Sequence, residues 1–306
     1  MEKIALGIDV GGSHITCQLF DLEENNPLSN SKQRFSMDSN GPSDSILNGW
    51  VEAIHLTAET LEISELEGIG FAMPGPFDYV NGIAKFEGVP KFRELYGINI
   101  KSELIRRMKL SDEFKIRFLN DATCFAVGES WLGKVSNYDR VIALTLGTGF
   151  GTTFIKNGLP VAGNEGIPND GFLYHIPFKN AIADDYFSTR WFINNYNEKS
   201  DTTISGVKEL AKMAMNEKIA REIFQEFGAN LGTFLAPWVK QFKANAIVIG
   251  GNISRSYKLF QKTLEDHLGK TIIMVSEMEE NAALAGGARL CDNAFYEELL
   301  KTNIVK

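Results

Sequence analysis

One pattern occurs twice in this chain, and it narrows the fold more than any other feature. Ile4-Ala-Leu-Gly-Ile-Asp-Val-Gly-Gly-Ser13 is an apolar run closed by an acid and glycines, with the β-forming run Ile15–Phe20 directly after it. Val141-Ile-Ala-Leu-Thr-Leu-Gly-Thr-Gly-Phe-Gly151 has the same form and leads into Thr152–Ile155. Laying Ile4-Ala-Leu on Ile142-Ala-Leu puts Gly11 on Gly149, an offset of 138 in a chain of 306 residues. Solenoid repeats recur every 20–50 residues, so a period near half the chain points to two similar domains, each opened by a hairpin with a glycine turn.

Both halves continue as strands followed by helices, which gives α/β layers. In the first half, Lys32–Met37 reads as a third strand, Ser43–Leu61 as an amphipathic helix, and Gly68–Met73 as a short buried strand ending at Pro74-Gly-Pro76. Ile100–Met108 reads as a helix and Lys115–Leu119 as a strand. In the second half, Ala183–Tyr196 and Ser205–Phe242 read as mostly helical. Ile219, Ile223, Phe227, Leu231, Phe234 and Trp238 form one core-facing stripe. Ala246–Gly251 and Thr271–Val275 read as strands, Asn281–Leu290 as a helix of small residues, and Ala294–Ile304 as an amphipathic segment. No Gly/Ser- or Pro-rich linker separates the halves, so they are expected to meet around a cleft. The expected division is 1–121 with 292–306 as a smaller N-terminal domain, and 122–291 as a larger C-terminal one.

Charge limits the partners. The formal net charge is −8, which offers no footprint for a phosphate backbone and argues against nucleic acid. No apolar run approaches the length of a spanning helix, so no membrane partner is expected, and the N-terminus has no secretory pattern. Cys17, Cys124 and Cys291 are odd in number and far apart, so they form neither a disulfide framework nor a zinc knuckle. A soluble cytoplasmic protein is expected.

Three glycine turns lie at strand ends: Gly11-Gly12-Ser13, Gly147-Thr148-Gly149, and Gly250-Gly251-Asn252. Without a Cβ, backbone N–H groups there can face a phosphate. The chain has no Walker loop, and the 147–151 glycines lie within a hairpin rather than between strand and helix. Asp9 ends a buried strand beside the first turn. It either holds Mg²⁺ through water or stabilises the turn. Asp121 follows the strand Lys115–Leu119 and opens a helix. It is either a general base, kept ionised by the helix N-terminus, or simply the helix cap. The polar loop Ala162–Gly171, running on to His175, offers Glu165, Asn169, Asp170 and His175 to a polyol, or is a plain surface loop.

In this order, these residues resemble the repressor–ORF–kinase family of sugar kinases and sugar-responsive regulators, within the actin/hexokinase/Hsp70 superfamily. The resemblance runs from about residue 3 to 292. It rests on Asp9–Ser13, Gly70-Phe-Ala-Met-Pro-Gly-Pro76, Asn120-Asp121, Leu146–Gly149, Gly250-Gly251 and Glu280-Asn-Ala-Ala-Leu-Ala-Gly-Gly-Ala288. It implies an α/β fold of two similar ribonuclease-H-like (actin/hexokinase-type) domains and ATP-dependent phosphorylation of a hexose, glucokinase-like, in a homodimer. By that resemblance Asp121 would be the base, while Asn120, His175 and the backbone at Gly75 would hold sugar hydroxyls. Gly11, Gly12, Ser13, Gly147, Thr148 and Gly149 would cradle ATP phosphates, with Mg²⁺ near Asp9. Gly250, Gly251 and Asn252 would lie against adenosine.

The chain departs from the family at four places. The zinc-binding cysteine run expected after His175 is missing, so no zinc is expected. Phe172 stands where a hydroxyl-binding Glu is usual, so either Glu165, ahead of Asp170, takes over as acceptor or sugar affinity is weakened. Asp184, four residues before Ser188, stands for a Glu and is a further candidate sugar contact. Ser13-His14 replaces the commoner Thr-Lys, so the turn loses a permanent cation. The competing readings are a non-catalytic sugar sensor and a polyphosphate-using kinase.

Overall fold

The computed structural model describes residues 3–59, 61–88 and 91–305. The chain runs β1 (Ile4–Val10), β2 (His14–Asp21), β3 (Asn26–Pro27), β4 (Gln33–Ser36), α1 (Ser43–Ala58), β5 (Gly68–Met73), β6 (Phe77–Asp78), β7 (Ile83–Ala84), α2 (Ile100–Met108), β8 (Ile116–Asn120) and α3 (Asp121–Trp131). It continues as β9 (Arg140–Leu146), β10 (Phe150–Lys156), β11 (Leu159–Val161), β12 (Pro177–Phe178), β13 (Ala181–Ile182), α4 (Ala183–Tyr186), α5 (Thr189–Lys199), α6 (Val207–Met213), α7 (Lys218–Phe242) and β14 (Ala246–Gly250). α8 (Tyr257–Leu268), β15 (Ile272–Val275), α9 (Asn281–Arg289) and α10 (Asn293–Lys301) complete it.

Two sheets carry the same topology. The first is ordered β3-β2-β1-β5-β8, with β4 also on β2; the second is ordered β11-β10-β9-β14-β15. In each, a hairpin is followed by parallel strands that arrive after crossovers, β5 and β8 in one, β14 and β15 in the other. The duplication is therefore real, but its register differs from the one the glycines suggest. Val10 and Leu146 both end seven-residue strands, and the parallel partners agree: Ala5 lies opposite Gly68, the first residue of β5, as Val141 lies opposite Ala246, the first of β14. Gly11 thus corresponds to Gly147, not Gly149, and Asp9 corresponds to Thr145. Ile4-Ala-Leu opens β1 whereas Ile142-Ala-Leu starts two residues into β9, so aligning the triplets slides the strands by two.

The chain divides into one compact unit running to Gly133 and resuming at Glu280, and a second, Lys134–Glu279. This differs from the expected boundaries at 121/122 and 291/292, and the first unit is the longer one. The cause is the packing of α9. A Cβ placed on Gly7, Gly70 or Gly128 would collide with the backbone of Leu284, Gly287 or Ala282, and one on Gly286 with that of Cys124. The glycines let α9 lie flush on β1, β5 and α3, so both helices belong with the first sheet.

Each unit has its own aromatic core. In the first, Trp50 of α1 packs on Phe71 and Phe92, and Phe118 stacks on Phe71 at 5.1 Å. In the second, Phe187, Phe192, Phe227 and Phe234 pack beneath β9 and β10, with Phe150 edge-on to Phe187. The stripe on α7 packs as read, although Ile219 and Trp238 stay only half-buried. The two long helical stretches are broken. Ala183–Tyr196 splits at Phe187-Ser188 and Ser205–Phe242 splits between α6 and α7.

Candidate active site

In the first unit, parallel register brings the chemistry to one sheet edge. Asp9 lies beside Ala72, and Met73 beside Asn120, so β1, β5 and β8 deliver Asp9, Gly75 and Asn120-Asp121 at their carboxyl ends. Ligand sites in open α/β sheets form at that edge. At the start of α3 the cap and the acid are different residues. Asn120 is the cap of α3, its Oδ1 accepting the Thr123 N–H at 3.2 Å. Asp121 stands one position later, and its Oδ1 accepts the Ala122 N–H at 2.8 Å. Its carboxyl is pushed above the ordinary carboxylate range by burial, against the pull of the Ala122 N–H and the Lys91 charge. Asn120 Nδ2 donates to the Tyr79 hydroxyl at 3.4 Å, and the same hydroxyl lies 3.3 Å from where a Cβ on Gly75 would stand. Gly75, Tyr79, Asn120 and Asp121 are therefore one cluster, and Tyr79 was not foreseen.

Asp9 is half-buried at the end of β1, and its carboxyl is raised to about 7 by burial and then by Asp121 and Glu280, with Lys32 and Arg34 acting the other way. The first turn closes through the Gly11 N–H to the His14 carbonyl at 2.9 Å. Arg34 reaches the His14 ring at 3.2 Å and pairs with Glu280 at 3.4 Å. The imidazole is held below its usual pKa by burial and then by Arg34. Lys32 bonds Asn281 at 2.6 Å.

In the second unit, the turn after β9 is braced from the 183–190 segment. Asp184 Oδ1 accepts the Phe150 N–H at 2.7 Å, and its Oδ2 meets Arg190 at 2.8 Å. The Thr189 N–H and hydroxyl both donate to the Gly147 carbonyl, at 2.8 and 2.9 Å. These bonds explain why α4 and α5 do not run on as one helix. They also give Asp184 a structural use: one oxygen braces the turn and the other pairs with Arg190. Among the described residues nothing lies within 4 Å of a Cβ added to Gly147, and its φ is not left-handed. Neither a neighbouring atom nor a left-handed φ requires glycine there, and the position is open space. Gly251 is the opposite case: its φ is +82°, and a Cβ would strike Leu146 backbone, so the chain itself needs glycine. That close approach sets Gly250-Gly251-Asn252 beside the Gly147 turn.

Glu165 does not stand where the missing acceptor was sought. Its carboxylate pairs with Arg140 and Lys156, which face each other at the end of the β9–β10 hairpin remote from the glycine turn. Seven residues of strand at roughly 3.3 Å each put about 20 Å between those ends. Arg140 and then Lys156 hold its carboxyl down at about 2. His175 is exposed, edge-on to Tyr174 and 3.5 Å from Asp170, while Phe172 lies against Tyr174. Thr148 and Gly149 are exposed at the tip of the second turn, and Ser13 at the first. Thr145 and Lys91 are further residues that motif reading passed over. Strand-end alignment would have found Thr145; no sequence signal marks Lys91.

The model of the ROK family matches residues 5–294. The chain belongs to the ROK family. Its relatives include a glucokinase of Thermotoga maritima, 26% identical across 95% of this chain and 98% of that one. An N-acetyl-D-glucosamine kinase of Pectobacterium carotovorum subsp. carotovorum is 24% identical across 83% and 86%. Among solved structures, a ROK family glucokinase from Streptomyces griseus in complex with glucose and AMPPNP aligns with a TM-score of 0.71 at 21% identity, covering 94% of this chain and 98% of that one. The two-unit architecture of this ROK chain is thus the actin/hexokinase-type fold.

Proposed function

We propose that this ROK chain is an ATP-dependent hexose kinase, glucokinase-like, with Asp121 as general base. The observation that carries the reading is the division of labour at the start of α3: Asn120 caps the helix, so Asp121 is not needed as the cap. A raised carboxyl pKa brings a base closer to the proton affinity it needs. Asp121 takes the proton from the sugar hydroxyl as its oxygen forms a bond to the γ-phosphorus and the bond to ADP breaks. Gly75, Asn120 and His175 hold other hydroxyls. Gly11, Gly12, Ser13 and the 147–149 turn meet the phosphates, and Gly250-Gly251-Asn252 lies against adenosine.

The donor set suits Mg²⁺. Asp9 is a hard oxygen ligand whose carboxyl is raised first by burial and then by the Asp121 and Glu280 carboxylates, a concentration of negative charge that suits a divalent cation, and Mg²⁺ keeps most of its waters while using few carboxylates. Bound with the nucleotide, the ion would supply positive charge to the phosphates. Asp9 would hold it through water.

The test is a panel of glucose, mannose, N-acetylglucosamine and N-acetylmannosamine with ATP–Mg²⁺, read by coupled ADP release. One sugar should raise turnover well above the sugar-free rate. No stimulation by any of them, with sugar binding still detected by calorimetry, would replace the kinase reading with a non-catalytic sensor.

A further inference from the structure

We propose that Lys91 is a further catalytic residue, whose ammonium meets the phosphoryl group in flight between the first glycine turn and Asp121. The inference rests on the hexose-kinase reading above. A Cβ built on Gly12 would stand 2.6 Å from Lys91 Cε and 2.8 Å from its Nζ, so the end of this side chain lies against the Gly12 backbone. Its charge is felt by Asp121 on one side and by His14 on the other.

The other charges around the turn are otherwise engaged. His14 takes a bond from Arg34, a group that can only donate, so the imidazole is neutral on that nitrogen. Arg34 shares its charge with Glu280, and Lys32 is bonded to Asn281. Lys91 is exposed but its root is fixed. Phe92, the next residue, is buried with its ring 6.0 Å from Trp50 and 5.5 Å from Phe86, and its N–H donates to the Ser39 carbonyl at 2.8 Å. Its φ of +60° is held by that packing. A rigid root with a mobile, three-donor ammonium suits a group whose oxygens shift during transfer. The transition state spreads negative charge over three equatorial oxygens, and a cation aimed there acts on the chemical step more than on ground-state binding. Lys91 keeps its proton throughout: the hydroxyl proton goes to Asp121, the new bond is sugar oxygen to phosphorus, and the leaving group is ADP.

The experiment compares Lys91→Met and Lys91→Arg with the wild type at saturating ATP–Mg²⁺ and the sugar that stimulates it. Lys91→Met should lower kcat by about 10²-fold, the scale of removing one donor aimed at developing charge, with the sugar KM within roughly threefold and Tm unchanged. Lys91→Arg should regain most of the rate. A Lys91→Met kcat within roughly threefold of wild type, or equal losses in both variants with a lowered Tm, overturns the inference and leaves the kinase reading standing. A wild type that no sugar stimulates removes both, and does so before either variant is measured.

Discussion

The two glycine turns occupy equivalent places in the two repeats, yet their surroundings are opposite. The first is a charged site. Asp9 closes its strand among Asp121, Glu280, Lys32 and Arg34, with Lys91 laid over the turn itself. The second has the neutral Thr145 where the first has Asp9, and its charges, Asp184 and Arg190, are spent on each other and on the Phe150 N–H. Its geometry is fixed by backbone bonds at both ends of the turn, including the Gly147 N–H to the Gly149 carbonyl at 3.1 Å. Duplication supplied two similar backbone turns, and side chains then made one charged and the other braced. A rigid, neutral turn is fit to hold a phosphate without acting on it; a charged turn beside a buried carboxylate is fit for proton and phosphoryl transfer.

The largest expected effect that would break this contrast is at Asp121. Asp121→Asn should lower kcat by about 10²–10⁴ while sugar affinity changes little. Turnover near the wild-type rate would make the first site no more reactive than the second. In wild type, the acid limb of the rate should lie above the ordinary carboxylate range, since the carboxyl must lose its proton to act and burial raises its pKa.

The contrast between glycines comes next. Gly70→Ala drives a Cβ into the Gly287 backbone and should cost about 1–3 kcal/mol, or roughly 2–12 °C in Tm. A Cβ added at Gly147 has no atom within 4 Å among the described residues beyond its chain neighbours, and Gly147→Val should leave Tm within about 2 °C. Equal losses in melting scans would mean that Gly147 is a packing glycine like the other.

The smallest effect belongs to Glu165. Glu165→Gln should leave sugar affinity as it is in calorimetric titration, and lower Tm by no more than about 2 °C at pH 7. Because the folded carboxyl is depressed to about 2 from its ordinary 4.5, its contribution to stability is full above 4.5 and fades as pH falls towards 2. The two proteins should therefore melt alike at the acid end. A tenfold loss of sugar affinity would restore Glu165 as the missing acceptor.

Most strands and helices were legible because local pattern and tertiary role agree. α2 is bounded as its periodicity reads, and β5 is a short, wholly buried central strand. The repeat was legible, but its register was not, because the same Ile-Ala-Leu triplet opens β1 yet starts two residues into β9. The pairing of Glu165 with Arg140 and Lys156 was not legible, because closeness in sequence to the hairpin says nothing about which end of it a loop returns to. Asp184 kept the acidic character of its motif, yet its use as a brace depends on Phe150 and Arg190, which only the fold brings to it. The cap at Asn120 could have been inferred, since Asn caps as well as Asp does. Lys91 could not, because its place over Gly12 is set by the burial of Phe92 in an aromatic core assembled from distant segments.

The division of labour between the turns is tested most directly by titrating AMPPNP–Mg²⁺ into Asp121→Asn and Gly147→Val alongside the wild type. The expected result is a crossover. Asp121→Asn, almost without turnover, binds nucleotide within about threefold of wild type, while Gly147→Val, folded and stable, binds it about tenfold or more weakly. Wild-type affinity in Gly147→Val, or a comparable loss in Asp121→Asn, would contradict it.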